Sequence, residues 1–191
     1  MKVIVKNVKR VFDDFFQVDR AAIQYEKFDG TMTQELVRLN LNRGNSAAVL
    51  ILNPQKNSLI LIKQFRYPAY VENKTKGWLL EVVAGTIDFD ADPLETAKRE
   101  IVEEVGYLVD KLEPIHIFYP SPGGCSEKIF LYYAEVCEKQ QFSKGGGLPG
   151  EGEDIQIIEL PILEVFQLLD SGQILDAKTI IALQWLRERL K

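Results

Sequence analysis

Histidine and cysteine are scarce in this chain, and their scarcity removes whole classes of chemistry. His116 is the single histidine among 191 residues. A histidine-rich zinc site is therefore excluded, and a Ser-His or Cys-His nucleophile would rest on that one side chain. His116 lies in the apolar run Ile115 to Tyr119, where a structural role is expected. The two cysteines, Cys125 and Cys137, form no CxxC pair and are too few for a disulfide framework, so reduced thiols are expected. Long apolar runs are missing as well, since no stretch approaches the roughly 20 residues needed to span a bilayer. The opening MKVIVKNVKRVFDD lacks the apolar core and small-residue cleavage site of a signal peptide, and a cytoplasmic location is the expectation. Positive charge is also in deficit. With 23 Lys and Arg against 28 Asp and Glu, the net charge of −5 disfavours a broad nucleic-acid backbone footprint. Small anionic substrates remain accessible through local arginines or a metal.

Apolar residues, by contrast, make up 46% of the chain, enough for a sizeable core in one domain with an appendage or in two small domains. Residues 1 to about 44 pattern as strands: Phe16 and Val18, Ala22 to Phe28, a turn at Asp29-Gly30, then Thr31 to Leu41. Further strands are expected at Ala47 to Leu52, Ser58 to Ile62, Trp78 to Val83 and Glu127 to Val136, the first two parted by the turn-prone NPQKN. Two late helices are expected over 161–170 and 177–190, separated by Ser171-Gly172, and GGGLPGEGED at 145–154 patterns as a flexible acidic loop. Strands around helices without regular βαβ alternation indicate a mixed α+β or α/β/α sandwich preceded by a β appendage.

The clearest local element is a central helix. Asp92 suits the N-cap, Pro93 the first helical position and Glu95 a capping box, while Gly106 supplies the stop. Its last turns carry Glu100, Glu103 and Glu104. At about 100° per residue, Glu104 falls about 40° from Glu100 and Glu103 about 60° to the other side. Leu94, Ala97, Ile101 and Val105 gather on a neighbouring arc that can pack on a sheet. Arg99 can reach Glu95 and Glu103, which leaves Glu100 and Glu104 without a partner on the helix. Like charges at this spacing, at the negative end of a helix, are unfavourable. A cation reverses the sign, and oxygen donors alone favour Mg²⁺ or Mn²⁺. On charge pattern alone a solvated acidic helix face stays an equal alternative.

The flanking residues decide between the two. Gly85 followed by REIVEEVGY, Arg99 to Tyr107, resembles the Nudix box, G-x5-E-x7-R-E-U-x-E-E-x-G-U with U apolar or aromatic. Every fixed position matches except the first Glu, where this chain has Ala91 between Asp90 and Asp92. The resemblance implies an α/β/α Nudix sandwich with a mixed sheet over 45–191, preceded by a small antiparallel N-terminal sheet over 1–44. It implies hydrolysis of a nucleoside diphosphate linked to another moiety, with Mg²⁺ as cofactor and Mn²⁺ possible. Glu100, Glu103 and Glu104 are then metal-site carboxylates, and the backbone carbonyl of Ala84 completes the site.

Beyond the box, the chain is similar to the branch containing ADP-ribose and GDP-mannose pyrophosphatases. The markers are Asn42-Arg43-Gly44, LIKQFR ending at Arg66, Leu80-Glu81 before AG, SPGG at Ser121 to Gly124, EGEDI at Glu151 to Ile155, and TIIALQWL. Pro122, sixteen residues past Gly106, has the placement associated with ADP-ribose hydrolysis, which makes ADP-ribose the first expected substrate and GDP-mannose the second. The resemblance implies Glu151 as general base and Glu153 as a loop carboxylate approaching the metal. It implies Arg38 and Arg66, together with Gly85 and Ser121, in substrate contact. Phe15 matches an aromatic that stacks on the nucleobase from the partner subunit, and Glu127 and Lys178 match sugar or phosphate contacts. A homodimer through the N-terminal sheet follows from the same resemblance. A catalytically silent nucleotide-sugar sensor is the rival expectation, disfavoured by the intact Glu100, Glu104 and Glu151.

Overall fold

The computed structural model describes every residue except Thr75, Lys76, Pro149 and Glu151, together with the side chain of Asn73. The described chain divides into two compact units, Met1–Asn45 with Tyr119–Lys128, and Ser46–Phe118 with Ile129–Lys191.

The first unit is an antiparallel sheet of β1 (Val3–Asp13), β2 (Gln17–Tyr25) and β3 (Leu36–Asn42), in that order. The turn expected at Asp29-Gly30 is present. Gly30 has φ 79°, Asp29 accepts from the Thr31 N–H and hydroxyl, and Lys27 donates its N–H to the Thr31 carbonyl. β1, eleven residues long and exposed throughout, has no period-two burial to announce it. The segment 119–128 joins this unit through Leu41, whose N–H donates to Gly124 and whose carbonyl accepts from Ser126.

The second unit is built on a seven-stranded mixed sheet. Its main path runs β10 (Gln156–Pro161), β5 (Ser58–Phe65), β4 (Ser46–Asn53), β9 (Ile129–Glu135), β8 (Glu113–Phe118), with β6 (Trp78–Glu81) beside β5 and β7 (Val83–Thr86) beside β4. β4 and β9 pair in parallel and the remaining pairs are antiparallel. β4 is buried along its whole length, so SAAVLILN carries apolar residues on both faces. Ala47, Val49 and Ile51 meet Ala97, Ile101 and Val105 on one side. Ala48, Leu50 and Leu52 meet Ile162, Val165, Ala182, Leu183 and Leu186 on the other. Helices thus cover both faces of the sheet, which is the α/β/α sandwich expected. Each fully buried Leu or Ile in it contributes about 1.5–3 kcal/mol.

Both late helices form, α3 (Ile162–Asp170) and α4 (Ala177–Arg189), and Gly172 turns the chain between them with φ 69°. In α4 the buried Thr179, Ala182, Leu183 and Leu186 keep the i, i+3, i+4, i+7 spacing of one face. Three elements differ from expectation. Trp78 to Val83 is divided between β6 and β7, which pair with different neighbours. A short helix, α1 (Tyr67–Asn73), follows β5, started by Pro68 in its first turn. His116 lies exposed on the edge strand β8, next to a register shift between Pro114 and His116 that releases the apolar alternation around it. Among the described residues, no helix is long and apolar enough to cross a membrane.

Candidate active site

The central helix, α2 (Pro93–Glu100), starts as its sequence dictates. Asp92 is extended, its carboxylate accepts from the Leu94 N–H at 2.7 Å, and Pro93 opens the helix. Glu95 does not close a capping box; it accepts from Lys98 at 2.8 Å instead. After Glu100 the chain widens into a π-helical turn, Ile101–Val105, closed by Gly106 at φ 79°. The Gly106 N–H reaches back to the carbonyls of Ile101 and Val102. This widening corrects the uniform helical angles expected for the three glutamates, and π turns of this kind concentrate at functional sites.

The turn separates the carboxylates by environment. Glu104 is 1% exposed and Glu100 7% exposed, whereas the Glu103 side chain keeps 22% of its surface in solvent. Arg99 does not engage Glu95. It places one guanidinium nitrogen 3.0 Å from Glu103, another 2.8 Å from Glu100, and donates to the Thr86 carbonyl. Glu100 therefore has a partner on its own helix, contrary to the i,i+4 expectation. Glu95 instead accepts from Lys98, and Ala91 carries no carboxylate for Arg99.

Glycine at position 85 makes the burial of Glu100 possible. A Cβ there would overlap the Glu100 carboxylate, so only the bare backbone of β7 lets that group lie against the strand. One residue earlier, the Ala84 N–H donates to Glu104 at 3.1 Å. Burial pushes the Glu104 carboxyl up to about 8; the negative charges of Glu100 and Glu153 add to the rise, and the Ala84 N–H and the Arg66 charge oppose it.

The loop at 145–154, expected to be flexible, is tied to this helix at its glycine end. The N–H groups of Gly146 and Gly147 donate to the carbonyls of Glu104 and Glu103, at 2.9 and 3.0 Å. Gly145, Gly146 and Gly147 all have positive φ, and a Cβ on Gly145 would strike the Glu104 backbone. The attachment returns the chain so that Glu153 accepts from the Leu148 N–H at 3.0 Å and adds its charge to the field at Glu104. Glu151 lies outside the described residues.

Two cations stand on a second network in the same unit. Arg66, where β5 passes into α1, donates through Nε and Nη2 to both oxygens of Glu81 at 2.9 and 3.0 Å. Lys178 donates to Glu81 at 2.6 Å and to Asp176 at 2.8 Å. Against the cost of burial, Arg66 and Lys178 hold the Glu81 carboxyl below the usual carboxylate range. Arg66 and Lys178 were expected from sequence as substrate contacts and Leu80-Glu81 as a marker, but not their pairing; the signal for it is a lone carboxylate inside the apolar run WLLEVVAG.

Ala84, Gly85, Glu100, Glu103, Glu104, Glu153, Arg66 and Lys178 thus share one unit. Phe15, Arg38, Ser121 and Glu127 belong to the other. There, Phe15 is 83% exposed at the tip between β1 and β2, edge-on to Phe16. Arg38 is exposed and donates to the neighbouring Val37 carbonyl. The Ser121 carbonyl accepts from Gly124 and Cys125 N–H groups, and buried Glu127 pairs with Arg43 at 3.3 Å.

Whether the first network suits a metal can be judged from its donors. Among the described residues, no three His, Cys, Asp or Glu side chains converge into a ready coordination sphere. What is present is a carboxylate pair, Glu100 and Glu104, repelling one another against a glycine strand. A pair of that kind fits Mg²⁺, which binds through one or two carboxylates, keeps several waters and takes further oxygens from substrate phosphates.

The NUDIX domain family model matches residues 42–182. The GDP-mannose pyrophosphatase of Pectobacterium atrosepticum is 36% identical over 176 residues, covering 92% of this chain and 89% of the relative. That of Shigella flexneri is 34% identical over 179 residues, covering 94% and 92%. Among solved structures, an ADP compounds hydrolase superposes with a TM-score of 0.72 at 26% identity, covering 100% of this chain and 95% of that one.

Proposed function

Because the chain belongs to the Nudix family of hydrolases, we propose that it hydrolyses the diphosphate of a nucleoside diphosphate sugar, yielding a nucleoside monophosphate and a sugar phosphate. The observation that carries the proposal is the buried pair of Glu100, against Gly85, and Glu104, bonded to the Ala84 N–H, in the same unit as the Arg66 and Lys178 cations. Glu100 and Glu104, with the Ala84 carbonyl and Glu153, would hold Mg²⁺, or Mn²⁺ in its place. A divalent cation supplies charge neutralisation at the diphosphate and a lowered pKa for water.

The chain's own groups divide the remaining work. Arg66 presents a planar fork suited to phosphate oxygens, and Lys178 a compact charge beside it. Glu103 steadies Arg99, which keeps the helix carboxylates in register. Glu151 takes the proton of the attacking water as the P–O bond to the leaving phosphate breaks. By the resemblance, Phe15 would stack on the nucleobase held by the partner subunit, and Arg38, Ser121 and Glu127 would contact substrate.

The relatives of higher identity bear the name GDP-mannose pyrophosphatase, which moves GDP-mannose ahead of ADP-ribose as substrate. The Pro122 spacing supports ADP-ribose as the second. A homodimer through the N-terminal sheet is part of the same reading. It is supported by the edge strand β1, which exposes Val3, Val5, Val8, Val11 and Phe12.

The test is detection of phosphate products from GDP-mannose, ADP-ribose, UDP-glucose and NADH, with and without Mg²⁺. Mg²⁺-dependent turnover of GDP-mannose or ADP-ribose is expected. Tight binding of one compound with no hydrolysis of any would replace the enzyme with a sensor.

A further inference from the structure

Glu81 is 1% exposed at the end of β6. A carboxylate buried that completely is costly, and an apolar residue of similar volume often serves a fold as well. A carboxylate buried at such cost points to something other than stability. Its partners come from two further elements: Arg66 at the β5–α1 junction, through Nε and Nη2, and Lys178 in the first turn of α4. Among the described residues it is the one carboxylate bonded to both cations, since Asp176 reaches Lys178 alone.

The geometry of the grip matters. Holding Arg66 by its Nε/Nη2 edge fixes the guanidinium plane and leaves the Nη1 edge for an incoming anion. Lys178 spends two of its three N–H donors on Glu81 and Asp176, which leaves one for an anion. The frame behind them is locked. Asp176 caps α4 by accepting from the Thr179 N–H and hydroxyl, and the Thr179 hydroxyl oxygen accepts from the N–H of Val82, the residue after Glu81. The start of α4 and the end of β6 therefore move as one piece. The charge of Arg66 is also felt at Glu104, in the same unit.

We propose that Glu81 is a positioning residue: it touches no substrate, and it fixes the spacing and orientation of Arg66 and Lys178 so that both meet one diphosphate. The proposal rests on the reading of the site as a diphosphate hydrolase.

Two variants test it. Glu81→Gln keeps the shape but turns an amide N–H₂ toward one of the two cations; Glu81→Asp keeps the charge but is a methylene too short to bridge both. Each is compared with wild type by calorimetric Kd for inorganic diphosphate in Mg²⁺ buffer and by KM and kcat for the nucleotide sugar that wild type turns over. Circular dichroism confirms folding, and Glu81→Asp carries the test should Glu81→Gln fail to fold. Both variants are expected to weaken diphosphate binding and raise KM by about 10- to 100-fold, with kcat changed less. If wild type hydrolyses nucleotide sugars and folded Glu81→Asp binds diphosphate as wild type does, with unchanged KM, Glu81 only balances charge and the proposal fails while the hydrolase reading stands. If wild type hydrolyses none of them yet binds diphosphate, and the variants lose that binding, the positioning role holds and the hydrolase reading fails.

Discussion

Replacing Glu104 with Gln should stabilise the metal-free protein, and by an amount that depends on pH. Glu104 is 1% exposed, and its carboxyl is pushed from the ordinary 4.5 to about 8 by burial and by the Glu100 charge. The folded state therefore binds this proton more tightly than the unfolded chain. Stability is undiminished below about pH 4.5 and falls as pH rises toward 8. At 1.36 kcal/mol per tenfold change in proton affinity, the loss is about 3 kcal/mol at pH 7 and about 5 kcal/mol above pH 8. That is a large share of the 5–15 kcal/mol typical of a folded domain. Glu104→Gln keeps an oxygen for the Ala84 N–H and removes the charge, so its stability should stay flat across this range. Glu81 and Glu159, both held below the usual range by their partners, act in the opposite sense below pH 4.5 and leave the window clear. Both tryptophans, Trp78 and Trp185, belong to the unit that holds Glu104, so urea unfolding in EDTA followed by tryptophan fluorescence reports on that unit. Adding Mg²⁺ should restore wild type at pH 8 and leave the variant unchanged. A Glu104→Gln protein less stable than wild type in EDTA at pH 8 would refute the reasoning, because the buried charge would then carry no penalty.

Other expectations follow from neighbouring residues. Glu100→Gln should fold normally, by circular dichroism, and lose several orders of magnitude in turnover; near-full activity would remove it from the metal site. Gly85→Ala drives a methyl into the Glu100 carboxylate, so it should cost about 1–3 kcal/mol in urea unfolding and weaken Mn²⁺ binding measured by calorimetry. Glu151→Gln should lower kcat strongly with Mn²⁺ affinity unchanged, and an effect confined to KM would assign the proton transfer to another group.

Much of the fold was legible because burial imposes period. The alternation of β4 sends Ala47, Val49 and Ile51 to one helix layer and Ala48, Leu50 and Leu52 to the other. The 179, 182, 183, 186 spacing does the same for α4. Elements without a buried face were not legible. β1 is exposed along all eleven residues and β8 along most of its six, so neither carries a pattern that distinguishes strand from loop. The boundary between β6 and β7 was hidden for the opposite reason: LLEVVAG is apolar on both sides of a change of partner strand, and partner choice is a tertiary event.

The site divides along the same line. Residue type and spacing were enough to single out Glu100, Glu103 and Glu104, because clustered carboxylates have a local signature, and Gly85 came with the resemblance to the Nudix box. Their pairing was not local. Arg99 chose Glu100 and Glu103 over Glu95 because Lys98 took Glu95 and a π turn re-aimed the last glutamates, and neither event can be computed from 100° steps. The same holds more strongly for Glu81, whose partners lie fifteen residues back at Arg66 and ninety-seven ahead at Lys178. In sequence it is one acid in an apolar strand. Apart from the Leu80-Glu81 marker, its cost of burial is the hint, because a buried acid must be neutralised by something. Since the free acid would be the cheaper form without cations, the lowered Glu81 carboxyl and the raised Glu104 carboxyl define opposite tasks for two buried glutamates of one unit. Glu81 is satisfied within the protein and holds its cations in place, whereas Glu104 is left short of positive charge, as the proposed metal site requires.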